Sequence, residues 1–339
     1  MSSLLSIQEI RSLPKIDLHR HLDCSMRWST MLEIASTLKL EFPSSVHTQH
    51  HHFLVTQPMN NLEQVLQKFS ISQKLLGSLE VLERLAFEAC EDAFNDGIRI
   101  LELRYAPTYI SQGHSLLNFD NIHGAFLKGI AQAQGKFKMA VGLICIVQRN
   151  LPLDKAAKVT DFAIEHKKTF LALDLADNEE GFEPKKFAPL FQKAKAQGLQ
   201  ITVHSGESPS DLAGQWVTDS VELLGASRIG HGVQSINHPV VIQLLKEKNI
   251  LLEVCPYSNY LTQAFKTYKE NPLKKLKDLG VAVAISSDDP GMFASVLSDD
   301  YLIAQNELGF TLKDFKDCNQ FAFDHSFISE SEKQRVWSS

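Results

Sequence analysis

Lys15-Ile16-Asp17-Leu18-His19-Arg20-His21 reads as a short buried strand that ends in two histidines one residue apart. Three later pieces end in the same manner: His204-Ser205-Gly206-Glu207, Gly230-His231-Gly232 and Ser286-Ser287-Asp288-Asp289. Each places an imidazole or a carboxyl at a predicted strand end. The first and last pieces lie about 270 residues apart. A closed barrel of parallel strands brings all such ends to one rim.

Eight apolar runs read as strands: Lys15–His21, Ile98–Tyr105, Met139–Val147, Phe170–Leu175, Gln200–His204, Arg228–His231, Ile250–Val254 and Val281–Ser286. Most are continuously apolar rather than alternating, as expected of strands covered on both faces. Helical patterns separate them. Leu79–Asn95 carries Leu82, Leu85, Ala86 and Ala89 at helical spacing and stops at Asp96-Gly97. Lys155–Lys168, Pro184–Gln197, Pro239–Lys248 and Asn271–Leu279 continue the alternation. No Gly-rich phosphate loop follows the first strand, as an open dinucleotide-binding sheet would require. The pattern therefore predicts a single (β/α)₈ TIM-type barrel over residues 1–339, with its site at the C-terminal strand ends.

The longest interruption runs from Asp23 to Leu79. Within it, Ser44–His52 holds His47, His50, His51 and His52 and reads as a solvated loop rather than an accessory metal site, because adjacent histidines point in different directions. Asn61–Leu76 reads as a helix with Leu62, Val65, Leu66 and Phe69 on one stripe, which suits either core packing or an apolar lid.

With 339 residues, 44% apolar and 22% charged, the composition is that of an ordinary soluble globular protein. The formal net charge is -6 and Lys and Arg form no basic stripe, which argues against nucleic acid or anionic membrane as partner. Five widely spaced cysteines without a C-x-x-C fit neither a disulfide framework nor a structural zinc knuckle. Met1 to Arg11 lacks the pattern of a signal peptide, and no apolar run reaches membrane-spanning length, so a cytoplasmic location is expected. The sequence carries no signal of oligomeric state.

His19 and His21, at i and i+2 on a strand, project to the same side and can share one ion. Asp17 lies on the same alternation and suits a supporting role behind the ligands. His204 ends the fifth strand, with Glu207 on the emerging loop, and Gly206 lets the backbone approach a ligand closely. Asp288 and Asp289 are neighbouring carboxyls that need a cation or donors, or else a turn. Three histidines and one aspartate, His19, His21, His204 and Asp288, make a zinc set that would acidify a bound water. The fourth strand ends Leu173-Asp174-Leu175-Ala176-Asp177, without the lysine that binuclear hydrolases of this architecture use as a bridge, so one metal per chain is expected.

Taken in order, these pieces resemble the adenosine deaminase family of the amidohydrolase superfamily. They are Leu18-His19-Arg20-His21-Leu22-Asp23, Leu101-Glu102-Leu103-Arg104-Tyr105-Ala106-Pro107, Asp174-Leu175-Ala176, His204-Ser205-Gly206-Glu207, Arg228-Ile229-Gly230-His231-Gly232, Glu253-Val254-Cys255-Pro256-Tyr257-Ser258-Asn259 and Ser286-Ser287-Asp288-Asp289-Pro290. The resemblance implies zinc on His19, His21, His204 and Asp288. It implies that Glu207 protonates purine N1, that His231 assists as an orienting base, and that Asp289 hydrogen-bonds N7. His21, Asp23 and Asp177 would also contact substrate, Asp23 through the ribose 5′-hydroxyl and Asp177 through its backbone N–H to N3. A carboxylate at Asp23 would repel a 5′-phosphate. The implied reaction is hydrolytic deamination of adenosine or 2′-deoxyadenosine, in purine metabolism or salvage. Cys24 and Asp177 depart from the family, which usually has Gly at both positions. These departures keep adenine, methylthioadenosine and aminodeoxyfutalosine open as substrates. A nucleoside-binding relative without activity would have no reason to keep Glu207 beside four zinc ligands.

Overall fold

The computed structural model describes residues 4–40, 45–60 and 62–337. Eight strands form one parallel sheet in chain order: β1 (Lys15–His21), β2 (Ile98–Tyr105), β3 (Ala140–Gln148), β4 (Phe170–Ala176), β5 (Gln200–Ser205), β6 (Arg228–His231), β7 (Leu251–Val254) and β8 (Ala282–Ile285). The sheet closes where Arg20 pairs with Asp288, just past β8. There His21 donates its backbone N–H to Asp288 O (2.8 Å) and Asp288 donates to His19 O (2.9 Å). The expected (β/α)₈ barrel is thus the observed one.

Each crossover buries one apolar stripe against the sheet. The helix Leu79–Asn95, capped by the Ser78 hydroxyl, buries Leu82, Leu85, Ala86 and Ala89. The expected helix Pro184–Gln197 is two pieces, a 3₁₀ turn Pro184–Phe187 and an α-helix Ala188–Ala196. Pro189 lacks the N–H needed to continue the first piece and sits instead in the first turn of the second.

The expectation of a solvated loop around the histidine run is corrected: Val46–Phe53 is a helix, with Ser45 accepting from Thr48 N–H as its cap. His50 packs edge-on against Trp28, with ring centroids 5.1 Å apart. Ser44 lies outside the described residues, as does Asn61, where the expected lid helix begins. That helix runs Leu62–Gln73. Among the described residues, no helix is long and apolar enough to cross a membrane.

The N-terminal ends of the strands are covered from below. Ile16, Ile100, Ala140 and Leu251 pack with Ala322, Ile328 and Val336 of the C-terminal region. Ser326 Oγ and the Phe327 N–H both donate to Glu102 (2.7 and 2.6 Å). The buried Arg228 guanidinium pairs with Glu102 and Glu253, each at 2.7 Å, and lies over the Phe327 ring. Removing one member of a buried ion network leaves the others uncompensated. Arg228→Met should therefore cost about 3–5 kcal/mol of folding free energy, read as a lowered urea midpoint at unchanged slope. An unmoved midpoint would take the network out of the stability argument.

Candidate active site

Between Asp17 and Arg20 the register of β1 shifts against β2, so that one extra residue of β1 is accommodated there. Such a bulge re-aims side chains, and here both His19 and His21 reach one point at the top of the barrel. The bulge also takes Asp17 off the alternation expected of it. Its carboxyl accepts from Ser287 Oγ (2.5 Å) and from backbone N–H groups of His19 and Ser287 (3.3 and 3.4 Å), which ties β1 to the segment after β8.

His19 gives its Nδ1–H to Glu253 (2.7 Å) and His204 gives its own to Asp174 (3.1 Å). Arg104 bridges those two carboxylates from the barrel interior, at 2.8 Å from Glu253 and 2.9 Å from Asp174. Burial alone would raise both carboxyls, yet Arg104, together with Arg228 at Glu253 and His204 at Asp174, holds both below their usual range. Burial and the adjacent His19 and His21 keep His204 neutral, against the pull of Asp174. Both rings are thereby fixed with a bare Nε2.

These lone pairs converge. His21 Nε2 lies 3.1 Å from His204 Nε2 and 3.3 Å from Asp288 Oδ1, and His19 Nε2 lies 3.2 Å from the same oxygen. His19 Nε2 is buried without a hydrogen-bond partner. The edge of a tetrahedral zinc site with ligands at roughly 2.0–2.1 Å is about 3.4 Å, so the spacing fits a metal of that size. Lone pairs this close repel unless a proton or cation lies between them. Burial opposes charge on His21, but Asp289 and Asp288 outweigh it and lift the imidazole to about 9. Gly230 makes this approach possible: a Cβ there would stand 2.8 Å from His19 Cε1.

His231 also belongs to this cluster, with one nitrogen within 4.8 Å of candidate ligand atoms of His19, His204 and Asp288. Its tautomer differs. The backbone N–H of Leu273 donates to Asn271 Oδ1 (3.1 Å), which leaves the Asn271 amide N–H to donate to Asn259 Oδ1 (3.4 Å). The Asn259 amide N–H must then donate to His231 Nδ1 (3.2 Å). His231 thus carries its proton on Nε2, directed between Glu207 (3.5 Å) and Asp288 (3.8 Å). A protonated nitrogen is a donor and not a ligand, which sets His231 apart from the other three. His231 and Asp288 both hold left-handed backbone, φ 61° and 62°, a strained conformation of the kind found at functional sites.

Glu207 accepts from Thr262 Oγ1 (2.7 Å). Burial, aided by the charge of Asp288, pushes it above the usual carboxyl range despite His231 and Thr262. Gly206 is also required by the fold: its φ of +71° and the Val217 side chain, 2.7 Å from where a Cβ would be, leave room for glycine alone. The two adjacent aspartates separate. Burial acts to raise Asp288, but the imidazoles of His19, His21 and His231 around it hold it well below the ordinary range. Burial and the Asp288 charge push Asp289 well above it. Neighbouring carboxyls in one site part in this way because both cannot ionise.

His21, His204, Glu207, His231, Asp288 and Asp289 open on a cavity of about 480 Å³. Val65, Leu66 and Phe69 of the helix Leu62–Gln73 line it, as do Asp23, Cys24 and Asp177. Asp23 accepts from the Ala106 N–H with one oxygen (3.0 Å), and its other oxygen is buried without a partner. Asp177 has φ +90°, a conformation that favours Gly, and its carboxylate is held by the amides of Gln148 (3.1 Å) and Asn150 (2.8 Å). The Cys24 thiol, raised by burial and by Asp289, lies against that aspartate. Among the described residues, no Lys or Arg lines the cavity.

The sequence reading assigned no role to Glu253, Asp174, Arg104, Asn259 or Thr262. A charge inside an otherwise apolar strand was the available signal for the first three. Asp174→Asn should weaken metal binding about 10- to 100-fold, measured by competition with a chromophoric chelator. Unchanged affinity would separate Asp174 from the site.

Comparison with known proteins agrees with this geometry. The family model described as adenosine deaminase matches residues 14–339. Over 328 residues the chain is 33% identical to an adenosine deaminase of Plasmodium falciparum, covering 96% of this chain and 89% of that protein. The crystal structure of an N6-mAMP deaminase from Arabidopsis superposes with a TM-score of 0.84 at 27% identity, over 97% of this chain and 98% of the other. A Burkholderia ambifaria amidohydrolase solved with bound zinc superposes with a TM-score of 0.87 over 98% and 92% of the two chains; at 22% identity that likeness is one of fold. A match running from β1 through the C-terminal region, over a site with this arrangement of histidines and carboxyls, places the chain in the adenosine deaminase family.

Proposed function

We propose that the chain is a zinc-dependent deaminase that converts adenosine or 2′-deoxyadenosine and water to the 6-oxo nucleoside and ammonia. The observation that carries this reading is a carboxyl biased to keep its proton, Glu207, sharing one cavity with a cluster of convergent imidazole lone pairs. One zinc per chain would be held by His19, His21, His204 and Asp288. When bound, it supplies Lewis-acid activation of water near neutral pH.

Glu207 gives its proton to purine N1, which makes C6 electrophilic. His231 orients the attacking oxygen through Nε2–H, so it acts as a donor where the resemblance suggested a base. Asp289, biased toward its protonated form, donates to N7; its Oδ1 has no partner within the chain. The unpaired oxygen of Asp23 accepts from the ribose 5′-hydroxyl, and the Asp177 N–H meets N3. A cytoplasmic location belongs to the same reading, supported by five free, buried cysteines.

The Arabidopsis neighbour is named for a nucleotide substrate. Here the unpaired Asp23 oxygen, and the absence of Lys and Arg from the cavity lining among the described residues, favour a neutral nucleoside over a 5′-phosphate. Asp177 and Cys24 line the cavity and keep a second reading alive, a nucleoside with another 5′ substituent such as methylthioadenosine.

The test is an absorbance assay with adenosine, deoxyadenosine, adenine, AMP and methylthioadenosine, with and without chelator. Turnover of adenosine that stops on metal removal is expected, and no turnover of any 6-aminopurine would overturn the reading. Glu207→Gln should lower kcat by about 10²- to 10⁴-fold with zinc content unchanged. Asp23→Ala should lower kcat/KM for adenosine by about 10- to 100-fold and leave adenine nearly unaffected; equal losses on both would remove the 5′-hydroxyl contact.

A further inference from the structure

The turn Gly206-Glu207-Ser208 presents three consecutive backbone N–H groups that neither strand nor helix can satisfy. One side chain takes all three. Glu179, buried in the loop after β4, accepts from Gly206 N–H (2.7 Å) with one oxygen and from Glu207 and Ser208 N–H (2.8 and 3.0 Å) with the other. The carbonyl side of the same turn is held by Gln234, whose backbone N–H donates to Gly206 O (2.8 Å) and whose amide donates to Glu207 O (3.3 Å). Arg149, also buried, donates to His204 O and to Leu175 O and Phe182 O (3.4 and 3.3 Å). The peptide from His204 to Ser208 is therefore gripped at its carbonyls by a guanidinium and an amide, and at its N–H groups by a carboxylate.

We propose that Glu179 is a positioning residue for Glu207: by fixing three successive peptide planes it sets where the carboxyl of Glu207 stands over the metal cluster. This rests on the reading of Glu207 as the acid. Three N–H bonds to one carboxylate are charge-assisted and stiff, and Glu207 has no other backbone anchor on its N–H side. The Glu179 charge also lies behind the acid and disfavours its ionisation. The loop that carries Glu179 carries Asp177, Asn178 and Phe182 on the cavity wall. One loop thus sets both the wall against which substrate rests and the height of the acid above it.

The test is Glu179→Gln in wild-type and Glu207→Gln backgrounds, with kcat, KM, zinc content and thermal unfolding measured for each. A glutamine keeps one acceptor oxygen but turns an N–H₂ toward a backbone donor. In the wild-type background kcat should fall roughly 10- to 100-fold, the cost of a misplacement of about 1 Å, with KM within about 3-fold and zinc retained. In the Glu207→Gln background the same change should alter the residual rate by no more than about 2-fold, because residues acting through one another are not additive. An unchanged kcat, an equal loss in both backgrounds, or loss of zinc in step with activity would each overturn the proposal. Should Glu179→Gln not fold, Glu179→Asp, which keeps the charge one methylene short, is read by the same criteria. A wild-type protein that turns over no 6-aminopurine would overturn the functional reading itself and this proposal with it.

Discussion

Two backbone hydrogen bonds close this barrel, and the residues that make them carry three of the convergent imidazole and carboxyl groups. Asp288 exchanges both of its peptide groups with β1, donating to His19 O and accepting from His21 N–H. The seam between the first and last strands therefore fixes three of the convergent side chains relative to one another. Asp17 and Ser287 reinforce it from the outer side. The left-handed backbone at Asp288 is the local cost of turning a carboxylate inward at that point. Nothing in this site can form before the ring of strands is complete, since its two halves are about 270 residues apart and meet only at the closure.

Beneath the seam the interior is charged rather than oily. Glu102, Arg228, Glu253, Arg104 and Asp174 alternate in sign through the buried strands. Such groups are tolerable only as a fully paired set, and each pairing passes orientation upward. Arg104 aligns two carboxylates, the carboxylates fix two imidazole tautomers, and the tautomers leave lone pairs at one point. A separate relay from the Leu273 peptide through Asn271 and Asn259 gives His231 the opposite tautomer. The division between histidines with a bare Nε2 and the one that carries its proton there is thus made by neighbours, not by the histidines themselves.

The strands were legible in the sequence to within one residue at each end, because continuous apolar runs bounded by polar residues admit little else in a chain of alternating elements. The convergence of His19, His21, His204, Glu207, His231, Asp288 and Asp289 followed once those runs were read as a barrel. What the sequence concealed is three-dimensional adjacency between loops. Nothing near Glu179 or Arg149 in the chain indicates that they grip the turn after β5. The bulge in β1 was hidden as well: alternation correctly put His19 and His21 together but put Asp17 with them, whereas the extra residue sends Asp17 to the outer seam. The run His47–His52 misled because local polarity resembles a loop, while the Ser45 cap and the packing of His50 on Trp28 make a helix of it.

The cavity wall, which among the described residues carries no lysine or arginine, has a consequence for encounter kinetics. The chain carries a net charge of -6, so a phosphorylated purine is repelled at long range, whereas an uncharged nucleoside feels no field in either direction. Capture of the latter proceeds by unbiased diffusion, and its rate is indifferent to ionic strength. Under the proposed nucleoside specificity, discrimination against nucleotides would accordingly be sharpest in dilute buffer and blur as salt screens the surface.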